Sequence, residues 1–135
     1  MSANAACQGR SLRDIPLIAI VDDNEAVRVS VECLVRSLGY RACAFPSAEE
    51  FLGSAAPAMA DCIIADVRMP GMDGMELLRR MRAAEGAPPV ILVTAFADEA
   101  LRRRAHADGA HCLLDKPFDE CTMVECLRQV LDAKA

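Results

Sequence analysis

Two adjacent acids, Asp22 and Asp23, follow an apolar run at 16–21, and a third, Asp66, follows another at 62–65. Thr94 closes the run 90–93, and Lys116-Pro117 comes just after 112–114. Each run is strand-length and helically spaced apolar residues follow it, so the chain reads as repeated strand-helix units. In such a fold the polar residues gather at one edge of a parallel sheet, where ligands bind. Three carboxylates meeting there repel by about 4 kcal/mol per pair at about 4 Å and an effective dielectric near 20, so a cation belongs among them. Hard oxygen donors, few in number and with room for water, suit Mg²⁺ better than zinc. Beside such an ion Asp66 is the candidate nucleophile toward a phosphoryl group, which it would hold as an acyl phosphate. Thr94 and Lys116 are the candidate hydroxyl and ammonium for the same oxygens. The chain uses Arg thirteen times and Lys twice, so a compact ammonium at 116 reads as a choice. An acid ahead of a helix can also cap its amides, which accounts for one of Asp22 and Asp23 but not for both.

The elements that must position these residues are legible in outline. Strands are expected at 16–21, 40–45, 61–65, 89–93 and 111–114, the fourth apolar throughout as a central strand requires. A helix with Val27, Val31, Leu34, Val35 and Leu38 on one face follows Asn24 and closes at Gly39. Ser47 with Glu50 has the spacing of a capping box and opens a short helix punctuated by Gly53 and Pro57. Further helices are expected after the turn-rich loop 67–74, over 98–108 up to Gly109, and over 119–132. The fold class is therefore α/β, a flavodoxin-like doubly wound sheet of five parallel strands in the order 2-1-3-4-5 with five helices. That order sets strands one and three side by side, where Asp22, Asp23 and Asp66 can meet. Residues 1–15 read as a loose amino-terminal arm, and 16–133 as the single domain that 135 residues allow.

Composition narrows the setting. A net charge of −5 and a pI near 5.0 argue against a direct nucleic-acid surface in this segment. No apolar run approaches a membrane span and no secretory signal opens the chain, so a cytoplasmic protein is expected. Seven cysteines, odd in number and without a Cys-x-x-Cys pair, suggest a reducing compartment rather than a disulfide framework or zinc. Cys33, Cys43, Cys62 and Cys112 lie in apolar segments as small core residues, and Cys121 and Cys126 lie on the last helix. His106 and His111 lack zinc spacing and read as ordinary helix and strand-edge residues.

With these residues in place, the chain resembles the receiver domain of bacterial two-component response regulators over about residues 16–132. The likeness rests on Asp22-Asp23, on Asp66-Val67-Arg68-Met69-Pro70-Gly71-Met72-Asp73-Gly74, on Thr94-Ala95 and on Lys116-Pro117-Phe118, in the family's order and spacing. The Arg-Met-Pro-Gly wording is similar to the FixJ-type branch. The resemblance implies that a sensor histidine kinase phosphorylates Asp66, and that Asp22 and Asp23 hold Mg²⁺ with Asp66 and the backbone carbonyl of Arg68. It also implies that Thr94 and Lys116 read the phosphoryl group, that Ala95 leaves a path to it, and that the Lys116-Pro117 bond is cis. One departure stands out: where the family has a Tyr or Phe that swings inward, this chain has Leu113. Phosphorylation is still expected to shift the face from Thr94 to Leu113 by a population change, with Leu113 or Phe96 repacking. Arg68 and Phe96 flank the approach to the phosphoryl group and orient water poorly, so self-dephosphorylation should be slow.

The basic run Arg102-Arg103-Arg104 reads first as a solvated face; with the acids Asp119, Glu120 and Glu125, and because receivers often pair through this face, the resemblance also implies a phosphorylation-favoured homodimer through the helices at 98–108 and 119–132. The main rival reading is a Mg²⁺-dependent phosphatase or phosphotransferase with an aspartyl nucleophile. It lacks its proton carrier, because the position two after Asp66 is Arg68. A nucleotide or flavin binder would need a glycine-rich phosphate loop, and none occurs. The chain reads either as a stand-alone receiver or as part of a longer transcription regulator.

Overall fold

The apolar runs pair side by side because each can bury both faces. In the computed structural model, which describes residues 15–134 and side chains as far as 131, they form β1 (Leu17–Val21), β2 (Arg41–Phe45), β3 (Cys62–Asp66), β4 (Val90–Thr94) and β5 (Cys112–Asp115). All pairings are parallel and the order is β2-β1-β3-β4-β5. Parallel neighbours need crossover helices, and these are α1 (Glu25–Ser37), α2 (Ala48–Leu52), α3 (Ala56–Met59), α4 (Gly74–Ala83) and α5 (Glu99–Ala107); α6 (Glu120–Lys134) follows the last strand. The expected 1–15 arm lies outside the described residues except for Ile15.

Side chains alternate along each strand into two apolar layers. Ile18, Ile20, Cys62, Ile64, Ile91 and Val93 pack against Val31 and Val35 of α1 and Met123, Leu127 and Val130 of α6. Ala19, Val21, Ile63, Ala65, Val90 and Leu92 pack against Phe51, Leu77, Leu78, Leu101 and Ala105 from the helices on the other face. The three central strands β1, β3 and β4 are buried throughout, whereas the edge strand β2 is half-buried.

Three expectations shift. The described residues contain six helices rather than five, because the short helix opened by Ser47 breaks in two. Gly53 ends α2, and the Ser54 hydroxyl donates to the Phe51 carbonyl while accepting the Ala56 N–H, which turns the chain into α3. Strands three to five also run one residue further than their apolar letters, so Asp66 and Thr94 are the last residues of their strands. Cys33 is exposed on α1 rather than in the core, whereas Cys62 and Cys126 are buried.

Candidate functional site

The carboxyl ends of β1, β3, β4 and β5 lie along one edge, and the site residues sit there. Asp22 directly follows β1, Asp66 ends β3 beside Val93 of β4, and Thr94 pairs with Asp115. The Lys116 N–H donates to the Thr94 carbonyl at 2.7 Å, which fixes where the lysine leaves the sheet. The Lys116-Pro117 peptide is cis.

Asp22, Asp23 and Asp66 each present a carboxylate oxygen, and these oxygens lie within 4.8 Å of one another. The Lys116 ammonium reaches Asp22 Oδ2 at 3.1 Å and Asp66 Oδ2 at 3.2 Å. Asp22 and Asp66 are buried, at 4% and 7% exposure, and Asp23 faces solvent. A pair of buried acids with one exposed acid gives hard donors inside and an open side for water, which fits a small divalent cation. Burial, then the neighbouring Asp22 charge, raises the Asp66 carboxyl above its ordinary value against the pull of Lys116. Burial by itself would lower the Lys116 ammonium, but the hydrogen bond to Asp22 and the charges of Asp22 and Asp66 outweigh it and leave it raised.

The capping alternative for the paired acids does not hold. Asn24 caps α1, accepting the Val27 N–H at 3.1 Å, so neither Asp22 nor Asp23 is needed there. Asp22 instead accepts the Asn24 N–H at 2.9 Å, and Arg28 donates to the Asp22 carbonyl at 2.8 Å. Arg28 thus steadies the backbone under the acid pair, a contact its helical position alone does not reveal. The Arg68 N–H donates to Asp66 Oδ1 at 3.3 Å, while the Arg68 side chain lines a cleft of about 580 Å³ with Met69, Asp98 and Arg104. Thr94 is fully buried, and its hydroxyl accepts the Phe96 N–H at 3.3 Å. Phe96 itself is 72% exposed, whereas Leu113 is half-buried against the layer that holds Leu101 and Ala105.

Two residues matter more than their sequence neighbourhood suggests. A Cβ on Gly74 would collide with the Asp66 carbonyl and lie 2.9 Å from Val67 Cα, so α4 can start against the acceptor strand only without a side chain there. Glu49 of α2 accepts the Met72 N–H at 2.9 Å and pins the loop after β3 from across the fold. Of the basic run on α5, Arg102 is engaged within the chain, 2.9 Å from Asp115.

Residues 18–128 match the family described as the response regulator receiver domain. The chain belongs to the response regulator receiver family. The transcriptional regulatory protein FixJ of Bradyrhizobium diazoefficiens is 38% identical over 103 residues, which cover 76% of this chain and 50% of FixJ. FixJ of Azorhizobium caulinodans is 36% identical over 118 residues, 87% of this chain and 56% of that protein, and supports placement in the FixJ-like branch. This chain thus spans about half the length of those relatives. Among solved structures, a response regulator receiver protein from Burkholderia phymatum is 41% identical with a TM-score of 0.76, covering 87% of this chain and 95% of that one. The chemotaxis protein CheY4 of Vibrio cholerae is 30% identical with a TM-score of 0.77, covering 86% and 98%. Receiver domains of response regulators are phosphoacceptors, and histidine kinases phosphorylate them. The acid cluster of this receiver is an arrangement such a role requires. Among its described residues no helix is long and apolar enough to cross a membrane.

Proposed function

We propose that Asp66 is the phosphoacceptor of this receiver, taking its phosphoryl group from a sensor histidine kinase in the cytoplasm. The observation that carries the reading is the Asp66 carboxylate, buried at a strand end, 3.2 Å from the Lys116 ammonium and within one cluster with Asp22 and Asp23. One Asp66 oxygen attacks phosphorus, the phosphorus–nitrogen bond of the donor phosphohistidine breaks, and the imidazole takes the electron pair and leaves. Lys116 is placed to pair with the new phosphoryl oxygens, and the Thr94 hydroxyl, at the end of the next strand, is the donor that would turn toward them. Asp22, Asp23, Asp66 and the Arg68 carbonyl would hold Mg²⁺, which supplies charge neutralisation at the incoming oxygens.

Incubation with acetyl phosphate and Mg²⁺ followed by intact mass tests the assignment. Wild type should gain one phosphoryl group and Asp66→Asn none. A gain on the variant equal to wild type would remove Asp66 from the role. The phosphorylated form should persist for many minutes, because Arg68 and the exposed Phe96 orient no attacking water.

The receiver proper spans residues 16–133 in this reading, and the similarity to FixJ supports an output domain that responds to it in a longer regulator. A homodimer through α5 and α6 would bring Arg103 and Arg104 toward Glu120 and Glu125 of a second copy. Sedimentation of the phosphorylated and unphosphorylated forms should show association in the first only.

A further inference from the structure

Outside the acid cluster, among the described residues, a close approach of two thiols joins β5 to α6. The sulfurs of Cys112 and Cys126 lie 2.7 Å apart, about 0.7 Å beyond the ~2.0 Å of a disulfide bond. Cys126 is buried in the layer beneath α1 and α6, and Cys112 packs against that layer while remaining half-exposed at the sheet edge. A small oxidant therefore has access to one thiol and finds the second in contact with it.

We propose that Cys112 and Cys126 are an oxidisable dithiol, which hydrogen peroxide converts to an intrachain disulfide tying α6 to β5. In the first step the Cys112 thiolate attacks one peroxide oxygen. The oxygen–oxygen bond breaks, hydroxide leaves and takes a proton, and Cys112 becomes a sulfenic acid. Cys126 then attacks the Cys112 sulfur, the sulfur–oxygen bond breaks, and a second water leaves. Overall two thiols and one peroxide give one disulfide and two waters. Burial, then the hydrogen bond with Cys126, pushes the Cys112 thiol up to about 12. The thiolate is scarce at neutral pH, so oxidation is slow. This is a slow latch rather than a fast sensor. It closes a loop that contains Lys116, so it restrains the segment that carries the ammonium.

The test oxidises the full chain with hydrogen peroxide, alkylates the remaining thiols under denaturing conditions and maps the cysteines. Trypsin leaves Cys112, Cys121 and Cys126 in one peptide, 105–128, so a glutamate- and aspartate-specific protease is needed. The expected result is a loss of two hydrogens, Cys112 and Cys126 both protected and joined, and a Tm raised by about 5 °C or more. Cys112→Ala and Cys126→Ala, each checked for folding by circular dichroism, should lose both the bond and the Tm rise. Equal alkylation of Cys112 and Cys126 before and after oxidation would overturn the proposal, as would a bond to Cys62 or Cys121. The same experiment on Asp66→Asn should give the same bond, which separates this result from the phosphoacceptor assignment.

Discussion

Asp66 is held in a state that the fold alone does not favour. Its carboxyl is raised by burial and then by Asp22, so the native chain binds a proton there more tightly than the unfolded chain does. The stability this provides is full below the unfolded carboxyl pKa and is lost as pH rises through the folded value. At neutral pH without a divalent ion, an ionised Asp66 therefore works against the fold. Asp66→Asn should raise the Tm of chelator-treated protein by about 4 °C, the shift on the order of 1 kcal/mol gives in a domain of this size. Lys116 acts in the opposite sense. Its ammonium is raised, so its contribution is full below the unfolded lysine pKa and fades as pH climbs through the folded one. Lys116→Met strands Asp22 and Asp66 without their shared cation, and should cost about 2 kcal/mol in metal-free protein. Mg²⁺ at ten times its dissociation constant should add about 1.4 kcal/mol to wild type and little to Asp22→Asn. Thermal melts with and without Mg²⁺ measure all three; a Mg²⁺ shift in Asp22→Asn as large as in wild type would contradict the ligand set.

Elements place these residues through contacts of very different reach. The strands could be read directly, because 16–21, 62–65 and 90–93 are continuous apolar runs that only a doubly covered sheet can bury. Their ends could not, because Asp66 and Thr94 keep to the ladder beside Val93 and Asp115 although their side chains are polar. The split between α2 and α3 was hidden for a related reason: one hydroxyl, that of Ser54, makes two local bonds that no periodicity records. Glu49 was out of reach altogether, since its partner Met72 is 23 residues away and only the assembled fold brings them together. Gly74 was visible as a letter in a turn-rich loop, but its purpose depends on how closely α4 approaches the Asp66 backbone. Gly74→Ala must push that backbone aside, and should destabilise by about 1–3 kcal/mol while slowing phosphoryl uptake. Denaturant titration with acetyl phosphate kinetics measures both. Uptake at the wild-type rate would mean that the acceptor strand is indifferent to where α4 begins.

Across the whole molecule, the link from the acid cluster to the α5 and β5 side runs through Thr94. Its carbonyl holds the backbone N–H of Lys116 and its hydroxyl holds the Phe96 N–H, so one residue fixes the backbone that carries the lysine and the following loop together. A hydroxyl that turns toward a phosphoryl oxygen must release the Phe96 amide. Leu113 already packs against the layer of Leu101 and Ala105, whereas Phe96 stands 72% exposed with its apolar ring in water. Burying a phenylalanine ring is worth about 1.5–3 kcal/mol, enough to shift a two-state equilibrium at least tenfold, so the ring with most to gain is Phe96. Phe96→Ala should leave the unphosphorylated protein within about 0.5 kcal/mol of wild type, since an exposed ring contributes little to that state. The same substitution should shrink the phosphorylation-dependent amide shifts along α5, while Leu113→Ala lowers stability in both states. Two-dimensional amide spectra of wild type and Phe96→Ala, each with and without acetyl phosphate and Mg²⁺, read the difference. If the α5 amides of Phe96→Ala move as far as those of wild type, the ring plays no part in transmitting the signal and the repacking must centre on Leu113.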